Sequence, residues 1–303
     1  MIFTKLTTEH IPLLQKYFRS QNWRTCDYSV GAVLMWADYL GTCFCETDGC
    51  LVLRANGFDG GVYFSYPVGD GDISAALDSI ERYARDNGIA FSMSDVPAEE
   101  IAFLEEKYAG RLSADTNRDY WDYLYDAESM KTFAGKKLSG QRNHVNRFRR
   151  LYPECKFVKL EPCNLEKAAE FCRRFVYERQ NDINVSRQEG RASIQMLDYI
   201  FDMGGVGGFL ELDGEIIALS LGEVMGDTLF VHVEKALHEY SGVYQVMVSE
   251  FAQRFATEGV DFINREEDDG VEGLRKSKLS YRPVRLLEKY NVVISELTKF
   301  DEK

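Results

Sequence analysis

The chain has 303 residues, 45% hydrophobic and 28% charged, which is the composition of an ordinary soluble globular protein with enough apolar material for two cores. Its 36 Lys and Arg stand against 49 Asp and Glu, for a net charge of −13; this argues against a general coat for nucleic acid or anionic membrane, because such binding needs net basic surface. No run of 18 or more uncharged apolar residues occurs, so no transmembrane helix is expected. The opening MIFTKLTTEHIPLL lacks the basic start, apolar centre and small-residue cleavage site of a signal peptide.

The elements are predicted in chain order. Residues 2–6 read as a strand, 8–20 and 29–40 as helices, and 42–54 and 61–68 as strands, with ETDG as the turn inside the first of these. An amphipathic helix follows over 72–87, with Asp72 as its cap and Gly88 as its stop. A short strand (89–94), a helix (97–109) and an aromatic strand (119–125) close a first unit. The second unit repeats the plan. A basic helix spans about 130–151, a strand 155–160, and helices 164–180 and 190–203. Two long strands turn at Asp213-Gly214 and Gly226-Asp227, and a helix over 242–258 leads to the strand VDFIN. A helix after Asp269 and a final strand, RLLEKYNVVI, finish the chain.

Seven cysteines (Cys26, Cys43, Cys45, Cys50, Cys155, Cys163, Cys172) are odd in number and scattered. They predict free thiols and a cytoplasmic location rather than a disulfide framework. Four histidines without C-x-x-C or H-x-x-x-H spacing give no reason to expect a metal. The glycines of Met203–Gly208 precede a strand and lack a G-K-[ST] ending, so they read as a connection, not a phosphate loop.

Two features reverse the overall charge or segregate it. Between Lys131 and Arg150 there are seven Lys or Arg residues and no acid; such a patch can hold phosphates through charge-assisted hydrogen bonds, or complement acidic surface of the same chain. In NREEDDGVEGLRKSKLSYRP (264–283) four acids precede a glycine and four bases follow. Asp269 and Glu272 have capping-box spacing, and acids before bases suit the helix dipole. Leu274, Leu279 and Tyr281 among those charges predict a half-buried helix beside a cleft.

The order strand, two helices, three-strand meander, helix, strand, helix, strand is that of the acetyltransferase-like (GNAT) fold, and it occurs twice. The expected fold is therefore α/β with mixed sheets in two tandem units, 1–127 and 128–303. AGKKLSGQRNHVNRFRRLYP (134–153), EYSGVYQVMVSEFA (239–252) and EDDGVEGLRKSKLSYRPV (267–284) resemble a bacterial family related to the C-terminal domain of phosphatidylglycerol lysyltransferase, itself similar to the Fem-type aminoacyltransferases. The resemblance implies transfer of an acyl or aminoacyl group from a carrier to an amine or hydroxyl, with a small molecule or lipid headgroup as acceptor. The matching positions Asp268, Arg275, Lys278 and Tyr281 are expected to contact substrate.

In a GNAT unit the turn before the central helix holds the carrier. Here Gly242 is present, but Tyr244 replaces the second glycine of the coenzyme A pattern and Glu239 adds an acid, which moves aminoacyl-tRNA ahead of acyl-CoA as donor. Carrier contacts are expected at Lys136, Lys137, Arg142, Asn143, Gly242, Val243 and Tyr244. On VHVEK, strand alternation puts His232 and Glu234 on one face, opposite Val231 and Val233; Glu234 is the candidate base and His232 the second. Ordinary salt-bridging of these strand residues is the bland reading. Two rival functions stand beside the transferase: a non-catalytic module binding a charged metabolite or tRNA end, and a coenzyme A-dependent N-acetyltransferase.

Overall fold

The computed structural model describes residues 1–178 and 187–296. In chain order the elements are β1 (Thr4–Lys5), α1 (Ile11–Phe18), α2 (Val30–Leu40), β2 (Cys43–Thr47), β3 (Cys50–Asn56), β4 (Val62–Phe64), α3 (Ile73–Asp86), β5 (Phe91–Pro97), α4 (Ala98–Lys107), β6 (Leu112–Thr116) and β7 (Asp122–Asp126). Then come α5 (Ala127–Thr132), α6 (Ser139–Leu151), β8 (Lys156–Lys159), α7 (Leu165–Glu178), α8 (Arg187–Tyr199), β9 (Val206–Leu212), β10 (Glu215–Met225), β11 (Thr228–Ala236), α9 (Val243–Phe255), β12 (Phe262–Asn264), α10 (Glu272–Ser280), β13 (Arg285–Leu287) and β14 (Lys289–Ile294).

Local chemistry explains many of the boundaries. The Asp72 side chain accepts from Ala75 N–H and starts α3, as the sequence predicts. The predicted basic helix is two helices, because Phe133 adopts φ 49° and ends α5. The capping box at Asp269 does not form. Asp269 is itself in a left-handed conformation (φ 50°), and Asp268 instead turns back to accept from Gly270 N–H, a local Asp turn. On α10 Lys278 is buried, and so is Tyr281 at its C-terminal end, while Leu274 and Leu279 are exposed; the helix is half-buried as expected, but through Lys278 and Tyr281 and not through the leucines.

Two seven-stranded sheets form, β1-β2-β3-β4-β5-β14-β6 and β13-β7-β12-β11-β10-β9-β8. They exchange strands relative to the sequence reading. The predicted final strand of the second unit breaks at Glu288: β13 pairs with β7 in the second sheet, whereas β14 inserts between β5 and β6 of the first. Conversely β7, read as the end of the first unit, pairs with β12 and β13. Local patterning identifies a strand but not its neighbours, so this crossing was invisible to periodicity.

The crossing locks the units together. One hydrophobic core joins Phe18, Leu51 and Phe64 of the first unit to Phe171 and Ile200 on the second unit's helices and to Phe209, Leu219 and Val233 on one face of its sheet. A separate core on the opposite face holds Leu210, Ala218, Val231 and Ala236 under α5, α6 and α9.

Candidate functional site

The site grows from a divergence of two parallel strands. β11 and β12 pair at only three positions, ending at Phe230 with Asn264. Beyond that point the chains separate, and the gap is bridged by side chains from His232, Glu234, Arg265 and Glu266. All of the acid-rich stretch, Asn264–Asp269, leads away from this fork.

At the fork β11 carries a bulge. Its pairing with β10 steps from Gly222–Val231 to Leu221–Val233, leaving His232 as the extra residue. A bulge breaks the two-residue alternation. Val231 accordingly lies in one core and Val233 in the other, and His232 and Glu234 face opposite sides. The expectation that they share a face is corrected by that one inserted residue.

On the first face, His232 has no exposed side-chain surface. Its Nδ1 bonds Glu266 Oε1 at 2.8 Å and its Nε2 bonds Glu223 Oε1 at 3.1 Å, while Gly31 N–H donates to the same Glu223 oxygen at 2.6 Å. Burial alone would lower the imidazole pKa, but hydrogen bonds to the two carboxylates outweigh it and raise it to about 9. The two carboxylates favour the doubly protonated imidazolium, in which both ring nitrogens donate. Gly31 belongs to this arrangement because a Cβ there would lie 2.6 Å from the ring.

On the second face, Arg265 Nη2 donates to Glu234 Oε1 at 2.7 Å. The guanidinium lies over Tyr281 (4.7 Å) and near Tyr125 (5.8 Å). Burial would lower the Arg265 pKa and Glu234 overrides it, so the charge is retained. Among the described residues Arg265 Nη1, Tyr281 Oη and Ser220 Oγ are buried with no hydrogen bond of good geometry, although the Arg265 guanidinium lies close enough to Tyr281 to pull down a phenol pKa that burial otherwise raises. Ser220 sits directly across from Glu234 in the β10–β11 register. Three unsatisfied polar groups around one ion pair are costly unless something meets them.

The remaining predicted contacts are engaged within the protein. Lys278 Nζ donates to the carbonyls of Arg265 and Glu267; the ammonium replaces the strand partner those carbonyls lose at the fork. Burial lowers its pKa. Asp268 has no exposed side-chain surface and accepts from Tyr123 Oη, Arg118 and Arg275. Arg275 also reaches Asp119 at 2.5 Å. Asp268 and Arg275 therefore neutralise each other instead of presenting separate charges, and Tyr281 is 2% exposed.

The carrier candidates divide similarly. Arg142 Nη1 caps the carbonyls of Phe133 and Gly135, and Val243 is core. Gly242 (φ 94°) brings its turn against α6, where a Cβ would lie 2.7 Å from the His144 carbonyl oxygen. Tyr244 packs on His238 at 5.3 Å between ring centres. Asn143 is exposed. Lys136, Lys137, Arg147 and Arg150 are exposed with no ion-pair partner among the described residues, so they form the open part of the basic strip.

A third cluster was missed. Lys289 Nζ lies 2.9 Å from Asp27, 3.0 Å from Asp122, 3.5 Å from Glu267 and 3.8 Å from Cys26 Sγ. Cys26, Asp122 and Glu267 have donor atoms close enough together to hold a metal ion, but the lysine ammonium already supplies the cation at that place. Burial raises the Glu267 pKa to about 7 despite Lys289. Burial would raise Asp122 too, and there Lys289 prevails and lowers it. The signals available were an acid on the aromatic strand DYLYD and a lysine opening the apolar strand KYNVVI.

The family model of the phosphatidylglycerol lysyltransferase C-terminal region matches residues 18–293. A conserved protein of unknown function from Bacteroides thetaiotaomicron is 33% identical, with TM-score 0.92 over 97% of this chain and 100% of that one. The C-terminal domain of a putative lysylphosphatidylglycerol synthetase from Agrobacterium fabrum superposes with TM-score 0.72 at 15% identity, covering 95% and 92% of the two chains. FemX gives TM-score 0.60 at 12% identity over 97% of each chain. An acetyltransferase of the GNAT family from Colwellia psychrerythraea superposes with TM-score 0.50 at 7% identity over 97% and 99% of the two chains; the fold is two acetyltransferase-like units of mixed α/β structure, and the chain belongs to the family of phosphatidylglycerol lysyltransferase C-terminal domains.

Proposed function

We propose that the protein is an aminoacyltransferase that takes its group from aminoacyl-tRNA and transfers it to an amine or hydroxyl acceptor. The reading rests on family membership and on one observation, the incompletely satisfied Glu234–Arg265 pair at the strand fork. In the reaction the acceptor nitrogen or oxygen attacks the ester carbonyl carbon, the bond to the carrier oxygen breaks, and the acceptor's proton ends on that oxygen. Glu234 is the base that relays the proton, and Arg265 Nη1 meets the negative charge developing on the carbonyl oxygen.

On this reading the carrier is tRNA and not coenzyme A. The gap between β11 and β12 is filled by Arg265 and by the His232–Glu266 pair, and α6 covers the turn at Gly242. Lys136, Lys137, Arg147 and Arg150, without an ion-pair partner among the described residues, suit a longer phosphate-bearing carrier. Removing Glu234 by Glu234→Gln is expected to slow loss of label from charged tRNA by about 10² or more. Equal rates with and without the carboxylate, or transfer from acetyl-CoA in place of tRNA, would overturn the assignment.

A further inference from the structure

Three aromatic rings meet on the first unit, away from the strand fork. Trp36 and Tyr39 lie one turn apart near the end of α2, and Phe58 sits at the tip of the hairpin that joins β3 to β4. Gly31, which meets His232, lies about 12 Å from Tyr39 along the same helix. The ring centres are 6.2 Å apart for Trp36 and Tyr39, 6.3 Å for Trp36 and Phe58, and 5.8 Å for Tyr39 and Phe58. Their planes are inclined by 64°, 82° and 41° in the same order. A point about 4.8 Å from all three centres stands about 3 Å off the plane through them, within the roughly 6 Å at which a ring face attracts a cation.

Local chemistry holds this group in place. Trp36 packs against the first core, and α2 ends just after Tyr39, at Gly41 with φ 60°. The hairpin tip is fixed by its own bonds. Gly57 N–H donates to the Gly61 carbonyl at 2.8 Å, and Asp59 accepts from Gly61 N–H at 2.8 Å and from the Tyr63 hydroxyl at 2.7 Å. A Cβ at Gly57 would lie 2.6 Å from the Tyr63 ring, so the tip closes over that tyrosine only with glycine there. Edge-to-face packing is the ordinary reason for rings to meet. Yet Tyr39 stays 51% and Phe58 78% exposed, so burial is not what holds Phe58 at this place.

Charge selects the ligand. Phe3, Tyr108, Trp121 and Phe262 each have an arginine of the protein over the ring. Among the described residues no lysine or arginine lies over Trp36, Tyr39 or Phe58. Their neighbours in the chain are acids, Asp38 beside Tyr39 and Asp59 beside Phe58. Tyr63 and Gly61 hold the Asp59 carboxyl below its usual range, so it keeps its charge, while Asp38 is paired with Lys5 at 3.0 Å. A primary ammonium needs acceptors for three N–H donors, which ring faces supply poorly. A quaternary ammonium needs none and lays its methyl groups against the rings. We infer that Trp36, Tyr39 and Phe58 bind a quaternary ammonium head group of the choline type, with Asp59 adding negative charge beside it.

The test is a titration with choline chloride, read from the Trp36 indole N–H in nitrogen-edited proton NMR against matched sodium chloride. The indoles of Trp23 and Trp121, bonded to Glu100 and Thr116, serve as internal references. Three exposed ring faces predict saturable binding with a Kd of roughly 10 mM. Neohexanol, the uncharged isostere of choline, should bind about tenfold or more weakly. Phe58→Leu should weaken choline binding about two- to fivefold, and Tyr39→Leu with Phe58→Leu about tenfold; both side chains are exposed, so the fold is retained. Co-sedimentation with phosphatidylcholine vesicles would assign the head group to a bilayer, and choline binding without it to a small solute; either supports the site. No saturable shift up to about 100 mM choline, equal binding of neohexanol, or native affinity in the double variant would overturn the inference.

Discussion

His232 and Glu234 stand two residues apart on one strand, yet their surroundings differ in one decisive respect. Around His232 each donor meets an acceptor: two ring nitrogens, two carboxylates and the Gly31 N–H are closed into one set. Around Glu234 the accounting stays open at Arg265 Nη1, Tyr281 Oη and Ser220 Oγ. A satisfied buried network rigidifies the fold, while an unsatisfied one retains the capacity to meet a ligand. The Lys289 cluster resembles His232 in that one ammonium, meeting Asp27, Asp122 and Glu267, ties elements of both sheets together.

If that division is right, the sealed clusters should govern stability. Lys289→Met should have the largest effect, about 3–5 kcal/mol by chemical denaturation, since Asp122 would keep its charge in the interior with no cation beside it. A loss below about 1 kcal/mol would break the comparison. His232 comes next. Its folded pKa of about 9 lies above the ordinary 6.5, so its stabilisation is complete below pH 6.5 and disappears as pH rises to 9. That amounts to about 3 kcal/mol. Denaturation midpoints measured from pH 6 to 10 should fall across this window in the native protein and fall less in His232→Gln.

Smaller effects sharpen the same contrast. Gly31→Ala should cost about 1–3 kcal/mol by crowding the imidazolium, read as a lowered melting temperature. Glu267 contributes with opposite logic for an acid. Its folded pKa near 7 exceeds the usual value, so stability should decline as pH rises from 4.5 to 7, and Glu267→Gln should remove that decline. At the other extreme, Arg150→Glu on the exposed strip should change stability by about 0.5 kcal/mol or less.

Much of this architecture was legible in the sequence because it is local. The Asp72 cap, the meander turns at Asp213-Gly214 and Gly226-Asp227, and the doubled order of elements all follow from short-range pattern. The exchange of β7 and β14 between sheets was not, since pairing partners are set by packing at long range. The His232 bulge was not legible either: VHVEK reads as a regular alternating strand, and the extra residue appears only against β10. The resemblance carries substrate contacts over to Asp268, Arg275, Lys278 and Tyr281; that Asp268 bonds Arg275 and that Lys278 reaches the carbonyls of Arg265 and Glu267 depends on how the 264–269 segment turns, which the order of residues does not give.

The central claim is that Glu234, and not His232, faces the reacting group. It is tested most directly by comparing Glu234→Gln with His232→Gln in one charged-tRNA transfer assay, with rates normalised to the folded fraction of each protein. The account predicts a rate loss of about 10² or more for Glu234→Gln, and a near-native rate per folded molecule for His232→Gln despite its lower stability. Loss of turnover confined to His232→Gln would contradict it.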